Sequence, residues 1–264
     1  MNAHRSCETT QKKNMKEKNI MITGASSGIG WAAAEALAAV GARLILCGRR
    51  ENRLKKLQAQ LDTPSHLLVF DVGDRKKVFE KINSLPEAFS SIDILINNAG
   101  NAHGLNPVHK SDLNDWDAMI DSNVKGLMYV TKAVLPAMVS RKTGHIINLG
   151  SIAGKEVYPN GSVYCSSKFA VDAFTQGLRL DLNPLRIKVS AIHPGMVDTE
   201  FSEVRFKGNK DRASKVYEGI TPLHAKDVAD LILFMVQAPD HVNIADVLLL
   251  PKAQANTYVT QRKS

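Results

Sequence analysis

Short runs of valine, isoleucine and leucine alternate with longer amphipathic stretches along most of the chain, and this alternation restricts the possible folds more than any single motif. A strand covered on both faces reads as a brief, nearly continuous apolar run, because neither face meets water. A helix laid on a sheet repeats its apolar residues about every 3.6 positions. Runs of the first kind occupy 19–22, 43–47, 67–70, 92–96, 145–149, 188–192 and 245–250. Helical periodicity fills 29–40, 52–61, 76–85, 113–139, 163–182 and 225–237, with Gly41 and Gly144 placed as helix stops. The pattern predicts a single doubly wound α/β domain: a seven-stranded parallel sheet with helices on both faces.

No internal repeat and no Pro/Gly/Ser-rich linker divides the chain. One domain is therefore expected over 18–252, between a flexible basic tail at 1–17 and a second tail at 253–264, ending in Arg262-Lys263 and expected to fray. Segment 197–221 breaks the alternation, being long, charged and poor in strand pattern. Long irregular segments in compact domains are usually functional, so a mobile lid over a bound substrate is expected here.

Composition excludes several classes. The chain is 44% hydrophobic and 23% charged, the balance of an ordinary globular protein. No apolar run approaches the roughly 18 residues that span a bilayer. Residues 1–18 lack an apolar signal-peptide centre, so the expected location is cytoplasmic. Cys7, Cys47 and Cys165 show neither metal-ligand spacing nor an even disulfide framework; reduced thiols and no metal are expected. The net charge of +8 is scattered, without interleaved aromatics or a helix-turn-helix pattern, so nucleic acid is not an expected partner.

Thr23-Gly24-Ala25-Ser26-Ser27-Gly28-Ile29-Gly30 joins the first strand directly to the first helix. Glycines there let the main chain approach a ligand, while the helix start points unpaired N–H groups at it. A dinucleotide pyrophosphate suits this place, with Gly24, Ser26, Ser27, Gly28, Ile29 and Gly30 around it. An NAD-binding chain usually ends its second strand with an acidic residue on the ribose 2′-hydroxyl. Here Gly48-Arg49-Arg50 stands at that position. Guanidinium groups pair with a 2′-phosphate and would lack a counter-charge beside a hydroxyl, so NADP is the expected cofactor. Arg50 could equally be a solvent-exposed helix start. Asp71 and Val72, after the third strand, are placed beside the adenine.

Tyr164 and Lys168 are four residues apart and so share one helix face. Ser151 lies thirteen residues earlier, just past the carboxyl end of a strand, where open α/β sheets bind ligands. A phenol beside an ammonium and a hydroxyl can give a proton to a carbonyl oxygen or take one from an alcohol. Together with the glycine turn, Asn97-Asn98-Ala99-Gly100, Asn123 and Pro194-Gly195, these residues resemble the short-chain dehydrogenase/reductase family over 18–251.

The resemblance implies strand order 3-2-1-4-5-6-7 and hydride transfer between a nicotinamide and a carbinol carbon. It implies Tyr164 as acid/base, its phenolate favoured by cationic Lys168 together with the oxidised nicotinamide, and Lys168 also reaching the nicotinamide ribose. Ser151 would bind the substrate oxygen, and Asn123 a relay water, though Asn123 also reads as an ordinary polar helix residue. Asn98, Ala99, Gly100, Pro194, Gly195, Val197 and Thr199 would join the cofactor contacts. The fourth and fifth long helices would pair between subunits, giving a homotetramer or homodimer.

Segments 199–208 and 238–244 resemble the NADP-dependent 3-hydroxy acid dehydrogenases, which act on serine and allo-threonine. A substrate carboxylate needs a cation, which the charged loop supplies in Arg205 and Lys207, and Glu156 could face an ammonium group. Plain solvent exposure is an equal reading for Arg205 and Glu156 and the better one for Lys207. Competing readings are a 3-oxoacyl or general carbonyl reductase of the same fold, and a catalytically silent NADP-binding protein.

Overall fold

The computed structural model of the chain describes residues 15–263. Its first half runs β1 (Asn19–Thr23), α1 (Gly28–Ala38), β2 (Arg43–Gly48), α2 (Glu51–Gln58), β3 (Ser65–Val69), α3 (Arg75–Asn83) and the short α4 (Glu87–Ser90). The second half continues β4 (Ile94–Asn97), α5 (Leu113–Ile120), α6 (Leu127–Arg141), β5 (Gly144–Leu149), α7 (Ser162–Leu182) and β6 (Ile187–Pro194). Then come β7 (Val197–Asp198), α8 (Phe201–Arg205), α9 (Lys210–Lys215), β8 (Leu223–His224), α10 (Ala225–Gln237) and β9 (Asp246–Leu249).

Seven strands form one parallel sheet in the order β3-β2-β1-β4-β5-β6-β9. This is the expected order, with β9 as the seventh strand because the two-residue β7 and β8 pair only with each other. The chain moves outward one way through β2 and β3 and the other way from β4 onward. Loops leaving β1 and β4 therefore diverge and open a crevice at the carboxyl ends of the strands.

Period-two alternation sends successive strand residues to opposite faces. Ile20 and Ile22 meet Ala33, Ala34 and Leu37 of α1 and Val228, Ile232 and Met235 of α10. Met21 faces the other layer, where Val78 of α3, Val130 and Met138 of α6 and Leu178 of α7 pack on Ile45, Leu95 and Ile146. Full burial of each such side chain contributes about 1.5–3 kcal/mol.

Three expectations about the elements are corrected. The helix read over 113–139 is interrupted between α5 and α6 by a π-helical stretch, Asp121–Gly126. A π turn keeps the helical apolar periodicity, so the pattern could not reveal it. Gly144 does not end the fourth helix; Lys142 does, in the left-handed region at φ 50°, and Gly144 opens β5, where a Cβ would meet Met138 Sδ at 2.6 Å. Segment 197–221 is not irregular but carries α8 and α9.

The C-terminal tail is not frayed over its described part. The Met196 N–H donates to Gln254 Oε1, Lys263 N–H to the Gly219 carbonyl, and Arg262 to the carbonyls of Val216 and Glu218. These bonds fasten the chain end to the far side of the lid segment. At the other end, Met15 is already buried in the core, so the expected tail stops short of it. Residues 1–14, with Cys7, lie outside the described residues.

Candidate active site

A cleft of about 330 Å³ lies over the carboxyl ends of the strands. Its floor begins at the turn after β1, where Gly24 and Gly28 take φ values of +68° and +54° that other residues rarely adopt. A Cβ on Gly30 would sit 2.5 Å from the Gly24 carbonyl and 2.6 Å from Asn98 Nδ2, so only glycine lets α1 start this close to the turn. Thr23 Oγ1 accepts the N–H groups of Asn98 and Ala99, each at 3.0 Å, and Asn98 Nδ2 donates to the Thr23 carbonyl at 2.9 Å. These bonds stitch the ends of β1 and β4 together. The first N–H groups of α1 are left facing the cleft, a ready anion site.

The predicted residues Gly24, Ser26, Ser27, Gly28, Ile29, Arg49, Arg50, Asp71, Val72, Asn98, Ala99, Gly100, Pro194, Gly195, Val197 and Thr199 all border this cleft. Gly30 lies beneath it. The fit to a dinucleotide is thus a glycine cradle that side chains would fill, opening toward two guanidinium groups.

At the other end Ser151, Tyr164 and Lys168 converge. Tyr164 and Lys168 lie one turn apart on α7, both buried. Lys168 Nζ donates to the Leu149 carbonyl at 2.9 Å and stands 6.0 Å from the Tyr164 ring centre. Burial pushes its pKa down to about 8. Ser151 Oγ accepts the Ala153 N–H at 3.1 Å and lines the cleft beside Tyr164.

Burial, reinforced by the neighbouring Tyr158, pushes the Tyr164 phenol above its ordinary value, while Ser151 and Arg205 oppose that shift. The expected lowering by Lys168 is absent from the protein alone. Tyr164 is held here as the neutral acid.

Asn123 sits in the π turn and is buried. Its Oδ1 accepts the Asn101 N–H at 2.8 Å, and its Nδ2 donates to the Asn101 carbonyl at 2.8 Å and to Ser167 Oγ at 3.0 Å. These bonds hold the β4 loop against α7.

The short chain dehydrogenase family profile matches residues 18–210. The chain belongs to the short-chain dehydrogenase family. It is 43% identical over 237 residues to the NADP-dependent 3-hydroxy acid dehydrogenase YdfG of Salmonella typhi, covering 89% of this chain and 96% of the relative. It is 45% identical over 239 residues to sulfoacetaldehyde reductase 2 of Chromohalobacter salexigens, covering 89% and 95%. A solved structure described as the closed form of serine dehydrogenase complexed with NADP+ superimposes with a TM-score of 0.89 at 40% identity, over 93% of this chain and 100% of that one.

At the end of β2 in this short-chain dehydrogenase, Arg50 donates to Ser26 Oγ at 3.2 Å and Ser27 Oγ at 2.6 Å. It also pairs with Glu200 at 2.8 Å, so it belongs to the cleft wall and is not a free helix start. Arg49 meets Asp71 at 3.3 Å and is 69% exposed, its guanidinium open to the cleft mouth.

On the substrate side of this dehydrogenase, Arg205 projects from the end of α8 to within 5.6 Å of the Tyr164 ring centre and 5.4 Å of that of Tyr158. It donates to the Gly104 carbonyl at 3.2 Å and the Tyr158 hydroxyl at 2.8 Å, leaving further N–H donors. Glu156 borders neither this site nor the cofactor cleft. Its carboxylate accepts the N–H and hydroxyl of Thr257, both at 3.1 Å, a contact with the chain end that replaces the expected one with a substrate.

Sequence reasoning missed Tyr158, Phe201 and Glu200 as site residues. Phe201 packs edge-on against Tyr164 with ring centres 5.7 Å apart, and Glu200 ties the lid to Arg50 and Arg53. Their partners are distant in sequence, and no local pattern marks them.

Proposed function

We propose that this short-chain dehydrogenase is an NADP(H)-dependent oxidoreductase interconverting an alcohol and its carbonyl compound, with a small anionic 3-hydroxy acid such as serine or allo-threonine as substrate. The single observation that carries the substrate class is the Arg205 guanidinium lying 5.6 Å from the ring centre of Tyr164. A cation beside the proton donor suits an acid group close to the reacting carbon. Both relatives named above are described as acting on small anionic compounds, which supports the same class.

The cofactor would lie in the glycine cradle, its 2′-phosphate toward Arg49 and Arg50, and when bound supplies or accepts the hydride. In reduction the neutral Tyr164 hydroxyl gives its proton to the substrate oxygen, and in oxidation the phenolate takes it back. Ser151 donates a second hydrogen bond to that oxygen. With the cofactor bound, Lys168 would reach the ribose hydroxyls, and the positive charge of the oxidised nicotinamide together with the Lys168 ammonium would favour the phenolate. Asn123 keeps Asn101 and Ser167 in place around them.

A panel assay following NADPH absorbance tests this reading, using L-serine, L-allo-threonine, 3-hydroxypropionate, 3-hydroxybutyrate, sulfoacetaldehyde and an acetoacetyl thioester. Turnover is expected with the small acids. Preference for the thioester would establish the 3-oxoacyl alternative, and no turnover with any would leave a silent NADP-binding protein.

The reading extends to a cytoplasmic homotetramer or homodimer. Among the described residues no helix is long and apolar enough to cross a membrane, and Cys47 and Cys165 are buried and unpaired. The helix α7 keeps Leu180 77% exposed, an apolar surface suited to pairing with a second copy.

A further inference from the structure

Four polar side chains meet beside the Ser151 turn, and none borders the cleft. Lys155 Nζ lies 2.9 Å from Asp172 Oδ1 and 3.0 Å from Asp246 Oδ2. His193 Nε2 lies 3.2 Å from Asp246 Oδ2 and 3.7 Å from Asp172 Oδ1, while its Nδ1 faces the Ser151 carbonyl at 3.3 Å. The two carboxylates and the imidazole could ligate a cation, but the Lys155 ammonium already contacts both carboxylates and supplies the positive charge. This is an ion-pair network, not a metal site.

Its placement is what matters. Ser151 opens a single 3-10 turn, Ile152–Gly154, held on several sides. Before it, a Cβ on Gly150 would overlap the His193 ring. After it, a Cβ on Gly154 would meet the Lys168 carbonyl at 2.6 Å, so the turn rests directly on the main chain of α7. Lys155 then reaches Asp172, one turn beyond Lys168 on the same helix. His193 is 0% exposed and immediately precedes Pro194-Gly195 of the cleft wall. The segment bearing Ser151 is thereby fixed to β6, α7 and β9 at once.

We infer that His193 is a positioning residue for Ser151, acting with Lys155, Asp172 and Asp246 as a mount that sets the Ser151 hydroxyl against Tyr164. The inference rests on the role given to Ser151 above. A purely structural site between β6 and β9 would be filled with apolar side chains at no desolvation cost. Here a buried imidazole has both ring nitrogens aimed at oxygens, one of them on Ser151 itself. A misplacement of about 1 Å in a catalytic group costs about a hundredfold in rate, so a mount of this kind acts on turnover and not on binding.

A double-mutant cycle between His193→Gln and Ser151→Ala tests it. His193→Gln should lower kcat about tenfold to a hundredfold while the substrate KM and the NADPH Kd, from fluorescence titration, stay within about threefold. In the Ser151→Ala background the same change should cost nothing further. Hydrogen exchange should show amides 150–155 opening faster in His193→Gln with the sheet unchanged. Asp246→Asn, which keeps the side-chain shape on the edge strand, should give a smaller loss of kcat that also vanishes in Ser151→Ala, and it tests the mount even if His193→Gln does not fold. Equal losses in both backgrounds, or an unchanged kcat in His193→Gln, would overturn the mount. An unimpaired Ser151→Ala would instead remove the Ser151 role on which it rests.

Discussion

On the floor of the cleft Gly24 and Gly30 meet through main chain and Asn98 joins them with a short amide side chain, whereas over its roof Arg205, Lys207 and Glu200 reach other elements through long side chains. Floor contacts are short, part-buried and made at the start of α1 and just past the ends of β1 and β4, strands already paired in the sheet. Roof contacts are ion pairs and single hydrogen bonds, several of them exposed, made from the short helix α8 and the residues flanking it, with the short α9 beside it. Helices of five and six residues have no stability of their own in water. Under the function proposed above, the difference would separate two tasks: a floor that receives a cofactor without rearranging, and a roof loose enough to admit and enclose a substrate.

The strongest test of the division lies at its boundary. Tyr164→Phe keeps the ring that packs on Phe201 and removes only the hydroxyl. Turnover should fall about 10²–10⁴-fold, the range for losing a general acid/base, while NADPH affinity stays nearly unchanged. Near-normal turnover would show that the proton comes from elsewhere.

Next in size is a pair of charge deletions that should separate floor from roof. Arg49→Ala should weaken NADPH by about 1.5–3 kcal/mol, leave NADH almost untouched, and raise no substrate KM. Arg205→Ala should do the opposite, raising KM for 3-hydroxy acids about tenfold or more while NADPH binding holds. A neutral carbonyl substrate of similar size should shift by no more than about twofold, since it loses no charge partner. If Arg49→Ala weakened both cofactors equally, the 2′-phosphate role would be lost. If Arg205→Ala affected charged and neutral substrates alike, its effect would come from releasing Gly104 and Tyr158, not from a lost anion contact.

The same division decides what the sequence could reveal. Floor residues were legible because their demand is local: a positive φ, a close approach or a helix start selects glycine or a small side chain at a fixed distance from a strand. The roof was not, because its bonds join residues far apart in the chain. Arg205 and Gly104 are 101 positions apart, and Arg205 and Tyr158 are 47 apart. Glu156 was misread for the same reason, its partner Thr257 lying 101 positions away. Asn123 is intermediate. Its identity was legible, but the π turn that aims its amide at Asn101 and Ser167 leaves no trace in periodicity. The mount beneath Ser151 draws on four elements and has no sequence signature at all.

The smallest expected effect concerns how the roof is fastened. Lys207, 60% exposed, pairs with Asp115 at 2.9 Å and more loosely with Asp112 at 3.9 Å, clamping the end of α8 to the first turn of α5. Arg205 reinforces this clamp, because its carbonyl accepts the Gly104 N–H at 2.9 Å. An exposed ion pair, screened by solvent, contributes little to stability. Lys207→Ala should therefore speed amide exchange across 201–215 by no more than about fivefold, with the melting temperature and kcat little changed. In the wild-type protein those amides should exchange faster than those of β4 and β5, and slow when both NADP+ and a 3-hydroxy acid are bound, as expected of a segment that closes over its substrate. Closure would exclude water and strengthen the contact between Arg205 and the substrate acid group, since Coulomb attraction grows as the local dielectric falls. Protection equal to that of the sheet without any ligand would mean that the roof is as fixed as the floor, and selectivity for anionic substrates would then rest on a preformed pocket and not on closure.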